Sequence, residues 1–207
     1  MSATPVQRPR SFPKRVVPPI ELPADADELA VEAAAQLGWQ GTVLGLRLLG
    51  KPIHIVARLR TAEHAERIAA GSVPVTDRAD VSTWLWPELA PSAPPEAAEI
   101  MGVLSVQRHW RTGLASVMPF ARYYGEAALV LPDSAVLTSD YVDKCLPRVR
   151  AFGLAVVSAG DHATVDLDLA GRAERSLAES DALTRWVNEM AYERLLELSD
   201  HSQLDRV

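Results

Sequence analysis

The chain has 207 residues, 48% apolar and 23% charged, which is enough apolar content for a core of ordinary size and too much for a disordered chain. A formal charge of -6 and a pI near 5.4 provide no global basic field, so any contact with nucleic acid has to come from a local patch. A single cysteine, Cys145, excludes an intrachain disulfide and a cysteine-based zinc cluster, and no apolar run of about 18 residues exists to span a membrane.

The N-terminal residues 1–23 hold Pro5, Pro9, Pro13, Pro18, Pro19 and Pro23, with Arg8, Arg10, Lys14 and Arg15 and no acid before Glu21. They lack the apolar stretch of a secretory signal, so a cytoplasmic protein is expected. The composition predicts a disordered basic tail, whose use would be contact with phosphate or with an acidic partner. A core domain over 24–170 and a C-terminal helical segment over 171–207 are expected to follow.

A helix is predicted over 25–37. Asp25 or Asp27 caps it, Leu29, Ala33 and Leu37 share one face, and Gly38 stops it. Glu28 and Glu32 sit one turn apart on the other side. Over 42–60, Leu44, Leu46 and Leu48 alternate, Gly50-Lys51-Pro52 breaks the run, and Ile53, Ile55, Ala57 and Leu59 alternate again. Period two favours a hairpin, although the same letters also fit two helices. Thr61 is expected to cap a short helix over 62–70, closed by Gly71. Under the two-helix alternative, 25–70 forms a helix-turn-helix with 53–70 as recognition helix and 73–86 as wing. Otherwise 72–86 is expected to be extended, and four prolines over 87–95 make a loop.

The stretch 99–168 reads as an α/β core. Strands are expected over 100–107, 127–131, 154–158 and 163–167, and helices over 110–124 and 140–152. Pro119 and Pro147 fall inside the helical runs and predict kinks. The continuous apolar run at 127–131 suits a strand covered on both faces. Cys145 lies in an apolar helical pattern with Val142, Val149 and Phe152 and is expected in the core. The segment 173–198 carries Leu183, Trp186, Val187, Met190 and Leu195 among acids, a stripe that must bury against the chain's own sheet or a second copy, which would make a homodimer. The expected fold class is α/β, a small mixed sheet flanked by helices with a helical appendage.

The order from Asp80-Val81 onward, through Gly102-Val103-Leu104-Ser105-Val106-Gln107, the helix over 110–124, the apolar strand at 127 and the run Tyr141 to Gly153, resembles the PD-(D/E)XK, or restriction-endonuclease-like, nuclease fold. The resemblance implies an acid on one strand, Glu-x-Lys on the next, and Mg²⁺ held by the carboxylates. Here Asp80 would supply the first acid, but Ser105 and Gln107 stand where Glu and Lys are needed. Neither provides a second carboxylate or a cation. The resemblance therefore implies a non-cleaving member that needs no cofactor. A metal-dependent nuclease with displaced residues would have to assemble Asp80 or Asp77, Glu99 or Glu96, and Glu28 or Glu32 around Mg²⁺.

No Gly-rich phosphate loop or Gly-x-Ser-x-Gly elbow is present, and the five histidines are scattered, so no metal site is expected. Arg108-His109-Trp110-Arg111 is a basic cluster at a helix start, where cations oppose the helix dipole. With Arg58 and Arg60 it forms the candidate nucleic-acid surface. The functional readings are thus a nucleic-acid-associated module, a protein-interaction or assembly subunit, and, third, a displaced nuclease.

Overall fold

The computed structural model describes residues 20–172 and 177–204, the side chains of 201–204 excepted. Six strands form one mixed sheet in sequence order: β1 (Thr42–Leu48), β2 (Lys51–Leu59), β3 (Ala98–Val106), β4 (Ala127–Pro132), β5 (Ala155–Ala159) and β6 (Val165–Leu169). β1, β2 and β3 make an antiparallel meander, β3, β4 and β5 run parallel, and β6 returns antiparallel. The hairpin reading of 42–60 therefore holds, and the helix-turn-helix alternative is overturned. The turn explains why: Leu49 and Gly50 both take positive φ, as a two-residue type I′ turn requires.

The sheet is covered on both faces. Helix α1 (Ala26–Gln36) lays Leu29, Ala30, Ala33 and Ala34 over Val56, Leu104, Val130 and Val157. Asp25 caps it through a bond from the Asp27 amide, as its sequence implied. The other face packs α4 (Trp110–Ala121), α6 (Leu146–Phe152) and α7 (Ala182–Leu204), which share a core with Ile53, Ile55, Val103, Leu129 and Val156. β4 and β5 are buried at every position, so their sequences read as apolar runs, interrupted only by Ser158.

Proline shapes the second layer in two different ways. α4 runs through Pro119 without stopping. Proline has no amide to offer the Ala115 carbonyl, and Lys51 Nζ from the hairpin donates to that oxygen at 3.1 Å. The run over 140–152 does break, into a π-helical turn (Tyr141–Cys145) and α6, with Pro147 in the first turn of α6. Gly153 closes α6 at φ 69°. A four-residue helix α5 (Asp133–Val136) fills the start of this crossover.

Three local expectations are corrected. Helix α2 (Thr61–Ala69) has Arg60 at its cap position with no side-chain bond, so Thr61 is its first residue and not its cap. The stretch 72–86 is not extended throughout: α3 (Arg78–Thr83) forms inside it. Asp77 is the cause, because its carboxylate accepts from the Ala79 and Asp80 amides and starts a helix where the alternating valines suggested a strand. The tail predicted over 1–23 is corrected at its end, since Ile20 packs on the α4 and α7 side of the sheet and Leu22 on the α1 side, whereas residues 1–19 lie outside the described residues.

Helix α7 is an integral part of the second layer. Leu183, Val187, Ala191, Tyr192 and Leu195 are buried against the chain's own sheet. Trp186 is half-buried and donates its indole N–H to the Thr76 carbonyl at 2.7 Å. Beneath α7 lies a fully buried pair, Arg67 of α2 and Glu189. Their two bonds measure 2.7 and 2.8 Å, and the Arg67 guanidinium also meets the carbonyls of Ser72, Val73 and Pro95.

Candidate functional site

The residues with most to offer a ligand gather where β3 ends and α4 begins. Arg108 and His109 are exposed there and carry no ion pair among the described residues. α4 has no acid in its first turn and no side-chain cap, so its amide dipole adds to the cations. Trp110 is buried, its ring flanked by the guanidinium groups of Arg111 at 4.5 Å and Arg148 at 5.5 Å from the centroid. Asp140 fixes this group from below. It accepts from the Trp110 indole at 2.8 Å, from Lys144 at 2.9 Å and from Arg111 at 2.9 Å. Those three donors, the indole foremost, hold its carboxyl well below the usual carboxylate range. Arg111, Lys144 and Arg148 thus surround the Trp110–Asp140 pair on an exposed surface, with Arg108 two residues before Trp110.

Arg58 and Arg60 do not join this surface. Arg58 is paired across from Glu99 at the start of β3, whereas Arg108 follows its last residue. A nine-residue strand separates them by about 25–30 Å. Arg58 is also matched in charge by Glu99, with Nε at 2.6 Å from its carboxylate. That bond raises the arginine and lowers the acid.

The three acids named for a displaced nuclease do not converge. Asp80 lies in α3 beside α7, on one side of the sheet, and is not on a strand. Glu28 lies on α1, on the opposite side, and Glu99 is engaged by Arg58. The strands that do lie next to β3 are β2, which reads Lys-Pro-Ile-His-Ile-Val-Ala-Arg-Leu, and β4, which reads Ala-Ala-Leu-Val-Leu-Pro, and neither holds an acid. The register that placed Asp80 on the neighbouring strand is therefore overturned by the Asp77 cap. Among the described residues no group of three or more His, Cys, Asp or Glu side chains is placed to hold a metal ion.

Two buried polar groups stand out near these positions. His54 of β2 is 5% exposed, and its Nε2 lies 2.8 Å from Asp27 of α1 while Nδ1 has no partner. A side chain at Gly45 would meet the Asp27 carboxylate at 2.9 Å, so glycine there leaves room for the pair. The Ser105 hydroxyl is also buried without a partner. Ser105 alternates with Leu104, which faces α1 together with the His54 side, so serine and histidine lie on opposite faces and cannot form a nucleophile–base pair. Cys145 is buried, and burial pushes its thiol up to about 12, which leaves it neutral and unreactive.

Asp140, Lys144 and Arg148 escaped the sequence reading as site residues. Their spacing of four and four was the available signal, since it puts all three on one helical face. No protein-family model, curated protein or solved structure matches this chain.

Proposed function

We propose that this chain is a non-catalytic binding module of nuclease-like architecture that contacts nucleic-acid backbone in the cytoplasm. The observation that carries it is the cation surface of Arg108, Arg111, Lys144 and Arg148 around Trp110, on a protein whose overall charge is negative. On an acidic protein, four exposed cations beside one open helix start make a local surface that attracts phosphate. The order of meander, crossing helix, parallel strand, and helix closed by Gly153 before a buried strand supports the nuclease-like reading. The absence of an acid on either strand beside β3 supports a role without cleavage, and this reading uses no cofactor.

The test is fluorescence anisotropy with labelled single- and double-stranded oligonucleotides across a salt series. Arg108→Ala and Arg148→Ala each lower affinity for all sequences alike and reduce the salt slope by about one. Absence of binding at low salt, or binding indifferent to both substitutions, overturns the proposal. Cleavage of the same substrates with Mg²⁺ or Mn²⁺ that depends on Asp80 or Glu99 restores the nuclease alternative.

A second reading, a protein-interaction subunit without nucleic acid, is favoured by one observation: the exposed apolar side chains of Leu85, Trp86 and Leu89 in the segment after α3.

A further inference from the structure

The N-terminal half of β3 has a strand on one side only. β4 begins opposite Val103, so Ala98 to Met101 have no ladder partner on the β4 side. A cleft of about 410 Å³ lies along this open edge, at the lower end of the size range of small-molecule sites. Tyr123 and Tyr124 after α4, Leu177, and Thr184 and Asn188 of α7 wall it.

Asn188 shows what the edge accepts. Its carboxamide donates to the Ala98 carbonyl at 2.6 Å and accepts from the Ala98 amide at 3.3 Å. Ala98 therefore turns both backbone groups away from β2. The neighbouring pairs agree: the Arg60 amide donates to the Ala97 carbonyl at 2.8 Å, and the pairing of 57–59 with 98–100 is unbroken. Backbone direction alternates along a strand, so Ile100 turns its N–H and C=O to the same side as Ala98, into the cleft. Among the described residues, no bond reaches the Ile100 backbone from that side. One position of the edge is thus filled by an amide of the chain itself, and the next is open. The charges along the cleft are nearly balanced. Glu99 is bound by Arg58 at 2.6 Å and Glu96 by Arg185 at 3.5 Å, with Arg60 as a third cation. Such a cleft selects by hydrogen bonds more than by charge.

We propose that this cleft binds a small neutral ligand with a planar amide edge, an N–H beside a C=O, which pairs with the Ile100 backbone as Asn188 pairs with Ala98. The imide of a nucleobase and an open carboxamide share that edge. The tyrosine rings and Leu177 supply apolar walls for the flat faces of such a molecule. The site lies at the other end of β3 from Arg108, and the inference is independent of the reading given for the cation surface.

The test is an amide NMR titration of the isotope-labelled full chain with uridine and with nicotinamide. At least one is expected to shift the Ile100 amide saturably, with a Kd of about 1 mM or tighter, and to slow its hydrogen exchange. Uridine methylated at its imide nitrogen and N,N-dimethylnicotinamide keep the ring and lose the donor. Each is expected to bind about tenfold more weakly than its parent, because the Ile100 carbonyl is left without a partner. Ala178→Trp places a large side chain at the exposed rim of the cleft and is expected to abolish the shift with an unchanged melting curve. The methylated pair keeps the test independent of that variant. Saturation by uridine alone assigns the site to imide rings and by nicotinamide alone to open carboxamides; either supports the proposal. No saturable shift at Ile100 with either probe up to about 10 mM overturns it. So does equal binding of parent and methylated forms, which shows that the amide edge is not read.

Discussion

The molecule uses the same three chemical groups twice, with opposite results. Under α7, Arg67 lies 4.5 Å from the ring centroid of Tyr192 and is bound by Glu189. At the start of α4, Arg111 lies 4.5 Å from the ring centroid of Trp110 and is bound by Asp140. The first set is closed: both charged side chains are 0% exposed, and Glu189 also accepts from the Val75 amide at 3.0 Å. The guanidinium has backbone and carboxylate partners on all its nitrogens. The second set is open, with more cations than acids and its guanidinium groups in solvent. A buried arginine with every donor satisfied holds elements together, whereas a solvated excess of cations remains available to a ligand.

Several substitutions break or sharpen this contrast, the largest effect coming first. Arg67→Ala leaves Glu189 buried without its cation and is expected to cost about 3–5 kcal/mol, read from the urea midpoint. Replacing both partners with apolar residues of similar volume is expected to recover much of that loss. A cost for Arg67→Ala no larger than that of a surface substitution removes the distinction between the two sets.

Trp186→Ala comes next, at about 3 kcal/mol, since the half-buried indole loses both packing and its bond to Thr76. The apolar stripe of α7 is covered by the chain's own sheet, so the midpoint is expected not to vary with protein concentration. A concentration-dependent midpoint would place Trp186 at a subunit interface.

The alkaline limb of stability is a smaller effect. Burial first, and Asp140 and Asp168 next, push the Cys145 thiol up to about 12. Burial and a bond to Asp168 also raise the Tyr141 phenol. A folded-state value above the unfolded one contributes stability that is complete below about pH 9 and is lost as pH rises towards 12. Cys145→Ala is expected to flatten the pH 9–11 slope. Native Cys145 should resist thiol reagents at pH 8 and react only after denaturation; rapid labelling of the native protein contradicts its burial.

Asp140→Asn is the mildest change. Its carboxylate is solvated, so the melting temperature is expected to move little. Any small cost should be complete above about pH 4 and shrink as pH falls further, because the contribution of a depressed carboxylate fades between its unfolded and its folded value. Nucleic-acid affinity at low salt should rise by a few-fold as one negative charge leaves the cation surface. A large loss of stability would show that the open set is as structural as the closed one.

Local chemistry made most of the frame legible in the sequence. Gly50 flanked by alternating apolar residues specifies a hairpin, Asp25 and Gly153 mark helix ends, and unbroken apolar runs mark strands covered on both faces. Each of these depends on neighbours within a few positions. The Asp77 cap was also local, but valine alternation over 73–81 obscured it, and with it went the placement of Asp80 on a strand.

What the sequence could not contain is which distant residues meet. Arg67 and Glu189 are 122 positions apart, and their pairing follows from α7 lying across the sheet to reach α2. Arg58 and Arg108 both looked basic and available, but a nine-residue strand holds them at opposite ends, and one is matched by Glu99. Charge and residue type are properties of the chain. Whether a charge is spent on a partner or left for a ligand is set by burial and strand register, and these exist only once the sheet has formed.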